Sequence, residues 1–320
     1  GVGGVIRDIL GAAHDPIACT DILCFGPQNL HVDQLPAGSL HPQRIHDGVI
    51  AGVADYGNKI GLPTIAGAVL YDNGYTANPL VFAGCIGIAH GEYVATTPQP
   101  GDRIVVLGGR TGRDGLRGAT FSSMTMDATT GDVAGASVQI GDPITEKLLI
   151  DVLGRGQHLF RAITDCGAGG LSSAIGEMAE GVGASVELSG LPLKYPGLSP
   201  WEIWLSEAQE RMVVAVQDIE PLKEACRTYG VECTDVGEFT GDGRLVVRNN
   251  GDIVFDLDTD FLHNGRPQRH MTAVMPSPSR TEMNKAEFVS IFGDIDVVSS
   301  LQQLLRHPNI SSKEAIIHRY

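Results

Sequence analysis

Positive charge is scarce in this sequence: Lys and Arg number 23 against 38 Asp and Glu, a formal net charge of −15. A field of that sign repels phosphate backbones, so non-specific nucleic-acid binding is disfavoured. Any phosphate the chain binds is held locally, by backbone N–H groups, a placed Arg or a metal. No apolar run approaches the roughly 20 residues that a helix needs to cross a bilayer, and no basic segment leading into an apolar stretch opens the chain. A membrane span and a recognisable export signal are therefore not read here. The six cysteines, Cys19, Cys24, Cys85, Cys166, Cys226 and Cys233, form no Cys-x-x-Cys pair and no zinc spacing, the pattern of reduced thiols in a cytoplasm. The ten histidines show no metal spacing, no Ser-His-Asp arrangement can be deduced, and no Gly-Lys-Ser/Thr completes a P-loop.

Glycine is what the chain has in excess, 41 of 320 residues, nearly double the usual ~7%. Without a Gly-X-Y period these read as loops and close backbone approaches. Hydrophobic residues at 42% and charged residues at 19% match ordinary globular usage, and 320 residues suggest about two domains.

Periodicity predicts a helix over Val5 to Ala13, a strand over Ile17 to Phe25, and an amphipathic helix from Arg44 to Lys59 capped by Gly61. Strands at Pro63 to Tyr71 and Pro79 to Ala89 flank Asp72-Asn73-Gly74 and are read as a hairpin. A boundary falls at Thr97 to Asp102. Beyond it come a strand at Arg103 to Gly109, a helix opened by Asp142-Pro143, a strand at Ala162-Ile163, a helix from Leu171 to Ala179 and the capping box Ser199-Pro200-Trp201-Glu202. A strand at Met212 to Val216, a helix at 219–229 and strands near 244–248 and 252–257 follow, and then a tail with a helix at 284–305. The expected fold class is α/β (α+β). Residues 1–97 form a sheet-and-helix N-terminal domain truncated at its start, 98–275 a C-terminal α/β domain, and 276–320 a linker or docking segment.

Several segments invite chemistry, each with a plainer alternative. Gly108 to Gly115 follows a strand and is either a phosphate cradle or a plain loop, with Arg113-Asp114 as an internal ion pair. Asp165, in Asp-Cys-Gly-Ala-Gly-Gly, stands between a strand and a helix N-terminus, as a Mg²⁺ ligand beside a phosphate or as a helix cap. Arg7-Asp8 is a buried ion pair, or an Arg for a phosphate and an Asp for a metal. Ser206 to Arg211 is a solvated helix end or part of a site.

Six segments occur in order: Gly-Val-Gly-Gly-Val-Ile-Arg-Asp at 1–8, Asp-Tyr-Gly-Asn-Lys-Ile-Gly-Leu-Pro-Thr at 55–64, Gly-Arg-Thr-Gly-Arg-Asp-Gly-Leu-Arg-Gly-Ala-Thr-Phe at 109–121, Val-Gln-Ile-Gly-Asp-Pro at 138–143, Asp-Cys-Gly-Ala-Gly-Gly at 165–170 and Leu-Ser-Glu-Ala-Gln-Glu-Arg-Met at 205–212. Together, over about residues 1–275, they resemble the synthetase subunits of phosphoribosylformylglycinamidine synthase, in the aminoimidazole-ribonucleotide-synthetase-like ATP-binding superfamily. The resemblance implies an ATP-dependent carbon–nitrogen ligase of purine biosynthesis. Mg·ATP phosphorylates the formyl amide oxygen of formylglycinamide ribonucleotide, ammonia from a glutaminase partner attacks the iminophosphate, and phosphate leaves.

Carried over by motif, the resemblance implies that Arg7, Gln139, Glu207, Ala208 and Gln209 bind substrate and that Asp8 and Asp165 bind Mg²⁺. It leaves Gly112, Gly115, Gly167 and Gly169 for nucleotide phosphates. The family's Glu-x-His-Asn-His-Pro motif, carrying the catalytic His, precedes the Gly-Val-Gly-Gly segment and is not in this sequence. No catalytic residue is assigned, therefore, and the chain is expected to be a fragment inactive alone, completed by a second half of the same synthetase. Ala208 stands where Ser is common in the family, and Ala68 where many relatives have Glu. The alternatives are a non-catalytic nucleotide-binding module of the same fold and another ATP-dependent member such as aminoimidazole ribonucleotide synthetase.

Overall fold

The computed structural model describes residues 1–89, 97–116, 118, 138–275 and 295–319. The 117–121 end of the third family segment and the 284–294 part of the expected tail helix lie outside the described residues, apart from 118.

Helix α1 (Val2–Gly11) buries Ile6, Arg7 and Leu10 on one face. After it, β1 (Asp15–Phe25) leads through a loop to α2 (Pro42–Ile60), which starts where Nδ1 of His41 accepts the Gln43 N–H and stops at Gly61, with φ +80°. Strands β2 (Thr64–Tyr71) and β3 (Leu80–Ile88) then flank β1 in a three-stranded sheet, β2 parallel to it and β3 antiparallel. The expected hairpin is thus corrected: β2 and β3 never pair. Asp72 Oδ1 does accept the Gly74 N–H, but residues 72–79 carry the chain across β1, whose backbone is paired on both sides only if it lies in the middle.

The second sheet has seven strands. These are β4 (Arg103–Gly108), β5 (Ala162–Asp165), β6 (Ala184–Glu187), β7 (Arg211–Val216), β8 (Cys233–Phe239), β9 (Arg244–Asn249) and β10 (Asp252–Asp258), in the order β10-β9-β6-β8-β4-β7-β5. All neighbours are antiparallel except β6 and β9. Helices α3 (Pro143–Gly156), α4 (Leu171–Met178), α5 (Pro200–Leu205), α6 (Ile219–Tyr229) and α7 (Thr259–Asn264) complete the unit. In this unit two strands and a helix escape the sequence pattern: β6 and β8, which are short or carry alternating polar residues, and α7, which has only six residues.

Strand alternation divides the core. Ile104, Val106, Val213 and Ala215 point to the side holding Leu171, Ile175, Ile203 and Trp204. Val105, Leu107, Met212, Val214 and Val216 point to the side covered by α3 and α6. Ile6 and Leu10 of α1 and Ile60 of α2 join this second cluster, so the two sheets share a core. Each such aliphatic side chain contributes roughly 1.5–3 kcal/mol by leaving water. In the tail, α8 (Val297–Arg306) and α9 (Glu314–Ile317) follow. Asn309 pairs with both backbone groups of Tyr71, and Ile316 packs near Leu23, Phe25, Ile50 and Val69.

Candidate functional site

The seam between the sheets is apolar around one cationic side chain. Arg7 is 1% exposed, because the apolar residues on either side of it in α1 face the same core. Its guanidinium donates to Glu146 Oε2 on α3 at 3.1 Å and to Gln209 Oε1, and lies 3.8 Å from Glu210 Oε1. Tyr56 on α2 donates to the same Glu210 oxygen at 2.7 Å. Glycine makes this possible at Gly3, where a Cβ would stand 2.1 Å from the Tyr56 hydroxyl, and at Gly141, where it would stand 2.8 Å from the ring. Two carboxylates therefore share one buried guanidinium. Burial, against the pull of Arg7, pushes the Glu146 carboxyl up to about 7, while Tyr56 is held protonated by burial and the neighbouring Glu146 and Glu210.

A second network touches the first through Gln209, whose Nε2 donates to Gln139 Oε1 at 2.6 Å and to the Glu207 carbonyl at 3.1 Å. Gln139 in turn donates to Glu207 Oε2 at 2.6 Å. The other Glu207 oxygen accepts the Gly169 N–H at 3.1 Å, in the glycine turn that opens α4. A cavity of about 270 Å³ at this seam is lined by Val2, Gly3, Tyr56, Gln139, Gln209 and Glu210, among others.

The 206–211 run is turned inward, not solvated, by Arg211. That side chain is fully buried and donates to the carbonyls of Ala208, at 2.9 Å, and Ser206, and to Thr111 Oγ1 at 2.9 Å. Ala208 is itself 0% exposed, so it shapes the run through its backbone.

Asp8 is exposed on α1, and Asp165 is half-buried at the end of β5. The Asp165 carboxyl is raised by burial and then by the charge of Asp8, which sets the two carboxylates in one electrostatic neighbourhood. Among the described residues no group of three or more His, Cys, Asp and Glu could hold a metal ion.

In the glycine loop after β4, Gly109 N–H donates to Glu210 O at 2.8 Å, Thr111 N–H to Pro192 O at 3.0 Å, and Arg113 N–H to Tyr195 Oη at 2.8 Å. Those donors are committed to the fold. Gly115, at φ +66°, backs directly onto Glu207, and Gly112 lies against Asp114 and Lys194. The Arg113-Asp114 pair is corrected: Arg113 bonds Glu202 at 2.7 Å and Asp114 bonds Lys194 at 2.9 Å, because each side chain finds its opposite charge on the 194–202 segment that packs beside the loop. Gly167 lies beside Asp165 Oδ2 and Gly170 N–H closes the turn on its carbonyl at 3.0 Å.

Arg7, Gln139, Glu207 and Gln209 thus meet in one network, although they come from segments far apart in sequence. Sequence reasoning misses Glu146, an acidic residue in an ordinary helix pattern. It places Tyr56 only on the apolar face of α2, and the one available signal was the glycines opposite it.

The chain belongs to the AIR synthase related family: residues 1–89 match its N-terminal domain and 99–250 its C-terminal domain. Within it, the likeness is to the PurL type of phosphoribosylformylglycinamidine synthase. The PurL subunit of Methanopyrus kandleri is 41% identical over 278 residues, covering 84% of this chain and 37% of that protein. That of Halobacterium salinarum is 37% identical over 332 residues, covering 100% of this chain and 44% of its own length. The crystal structure of Thermotoga maritima PurL complexed with FGAR superposes with a TM-score of 0.71 at 32% identity, covering 89% of this chain and 46% of that one. The complex of the same protein with ATP gives 0.67 at 32% identity, over 87% and 43%. The chain spans less than half the length of the curated relatives it matches.

Proposed function

We propose that this chain is part of an ATP-dependent carbon–nitrogen ligase of purine biosynthesis that turns formylglycinamide ribonucleotide and glutamine-derived ammonia into formylglycinamidine ribonucleotide, with ATP becoming ADP and phosphate. The observation that carries the reading is the seam network, in which Arg7, Gln139, Glu207 and Gln209 are joined by hydrogen bonds and Gln139 and Gln209 line a cavity, in a chain similar to a PurL solved with FGAR. Gln139 and Gln209 present amide donors and acceptors suited to a neutral amide and ribose hydroxyls. Glu207 fixes their orientation, and Arg7 is proposed as the charged contact for an anionic substrate, which would replace one of its present partners, Glu146 or Gln209. Ala208 contributes backbone only.

Asp8 and Asp165 would hold Mg²⁺. One is exposed on α1 and the other half-buried at the end of β5, hard oxygen donors of the kind suited to an ion that takes one or two carboxylates and completes its shell with phosphate oxygens and water. When bound, the ion neutralises charge on the transferring phosphoryl group. Gly112, Gly115, Gly167 and Gly169 are proposed as the close-approach points for the nucleotide, and Gly169 N–H becomes available to it once Glu207 releases it. The first sheet exposes Ile22, Leu70, Leu80, Phe82, Ile86 and Ile88, an apolar surface that a second half of the synthetase would cover, with a glutaminase delivering ammonia to the assembled protein. No helix among the described residues is long and apolar enough to cross a membrane, and a cytoplasmic location is part of this reading.

The test is phosphate release by the full-length protein that contains this chain, supplied with Mg·ATP, ammonia and formylglycinamide ribonucleotide. Release that requires all three is expected, and the isolated chain should not turn over. Release driven instead by formylglycinamidine ribonucleotide without ammonia would assign an aminoimidazole ribonucleotide synthetase. Nucleotide binding without any turnover would assign a binding module.

A further inference from the structure

The six cysteines are free, yet four of them stand in two contacting pairs, and one pair has the geometry of a bond waiting to form. Cys19 on β1 and Cys85 on β3 are direct register partners across an antiparallel pair. The Cys19 N–H points the other way, to Pro63 O at 2.8 Å, so Cys19 and Cys85 occupy a non-hydrogen-bonded position, where opposed side chains come closest. At such positions Cα atoms are about 4.5 Å apart, within the span of about 4.4–6.8 Å that a disulfide bridges. Both side chains lie on the helix-covered face, Cys19 in the same core cluster as Ile6 and Leu10 of α1, with Cys85 packed against it and half-buried. Cys24 is an odd number of residues from Cys19 and so faces the opposite side of β1.

We infer that Cys19 and Cys85 form a reversible dithiol–disulfide couple beneath α1, the helix that carries Arg7 and Asp8. With hydrogen peroxide as the oxidant the step balances. The Cys19 sulfur attacks one peroxide oxygen, the O–O bond breaks, and a sulfenic acid and one water result. The Cys85 sulfur then attacks the Cys19 sulfur, its S–O bond breaks, and a second water leaves. Two thiols and one peroxide become one disulfide and two waters. The nearness of the two thiols draws Cys19 towards ionisation and keeps Cys85 protonated, with Cys85 Sγ donating to Ile86 O at 3.8 Å, and the thiolate is the nucleophile. The bond would tie β1 to β3 at the point where α1 rests, and it does not depend on the proposed activity.

The test treats the reduced chain with hydrogen peroxide, blocks remaining thiols with iodoacetamide, and maps the digest by mass spectrometry without reductant. A peptide linking Cys19 to Cys85 is expected. It should vanish on dithiothreitol treatment and in Cys19→Ser and Cys85→Ala. It should persist in Cys24→Ser and in the Cys226→Ser/Cys233→Ser double variant, which removes the second contacting pair. Recovery of Cys19 and Cys85 as separate alkylated or sulfinic peptides in the unaltered chain would overturn the proposal, as would a crosslink confined to Cys226 and Cys233. Because the decisive readout is made on the unaltered chain, misfolding of a variant cannot mask it.

Discussion

Glu146→Gln isolates the cost of holding a carboxylate in the seam. In the folded protein burial lifts the Glu146 carboxyl from 4.5 to about 7, and the nearby charges of Glu210 and Asp165 push in the same direction, with only Arg7 opposing. A group whose folded value lies above its unfolded value binds its proton more tightly when folded. Its contribution is complete below about pH 4.5 and is lost as pH rises to about 7, because the unfolded chain ionises there while the folded one resists. At about 1.4 kcal/mol per unit, the difference between the two limits is on the order of 3 kcal/mol. Gln keeps the shape and an acceptor for the Arg7 Nη1 donor that now bonds Glu146 at 3.1 Å, but it cannot titrate. Urea denaturation of both proteins from about pH 4 to about pH 8 reads the effect. The stability of the variant minus that of the parent should grow by about 3 kcal/mol across this range, in the variant's favour. A difference that stays constant with pH would show that Glu146 ionises freely in the folded state and would refute the reasoning.

Arg7→Ala removes the guanidinium that Glu146 and Glu210 share, so it should destabilise the fold by about 3–5 kcal/mol. In the full-length protein it should also weaken formylglycinamide ribonucleotide binding by about 2–3 kcal/mol, roughly 30- to 150-fold; an unchanged dissociation constant would remove Arg7 from substrate binding. Asp165→Asn should raise the Mg²⁺ concentration needed for half-maximal turnover, and a superimposable Mg²⁺ titration would take Asp165 out of the metal site. Gly170→Ala should be severe, about 3 kcal/mol or more by thermal or chemical denaturation, because φ is +57° and the added Cβ would stand 1.8 Å from the Ser206 carbonyl. A loss under about 1 kcal/mol would mean that the turn opening α4 is free to move.

Local chemistry was legible wherever one residue decides it. Gly61 ends α2, Asp142 Oδ1 accepts from Ile144 N–H at 3.0 Å, and Ser199 with Glu202 forms the expected capping box. These devices act within one turn of backbone, so their residues are neighbours in sequence. The β2–β3 pairing was misread because a turn signal specifies where the chain bends and not which strand it bends towards. β8 was missed because Cys233, Thr234 and Asp235 lack the apolar run of a central strand; it pairs with β4 and β6 only because the sheet is already there.

For the site, sequence alone determined which residue types stand in which motifs, and the resemblance to the synthetase subunits could be drawn from those motifs in order. It also determined the apolar face of α1 that carries Arg7 into the interior. Tertiary structure decided the partners. Glu146 is 139 positions from Arg7 and Glu210 is 154 from Tyr56, separations over which no periodicity carries information. Their pairing follows from two sheets closing on a shared core. Once Ile6 and Leu10 are buried there, the guanidinium between them must find carboxylates or remain an uncompensated charge away from water.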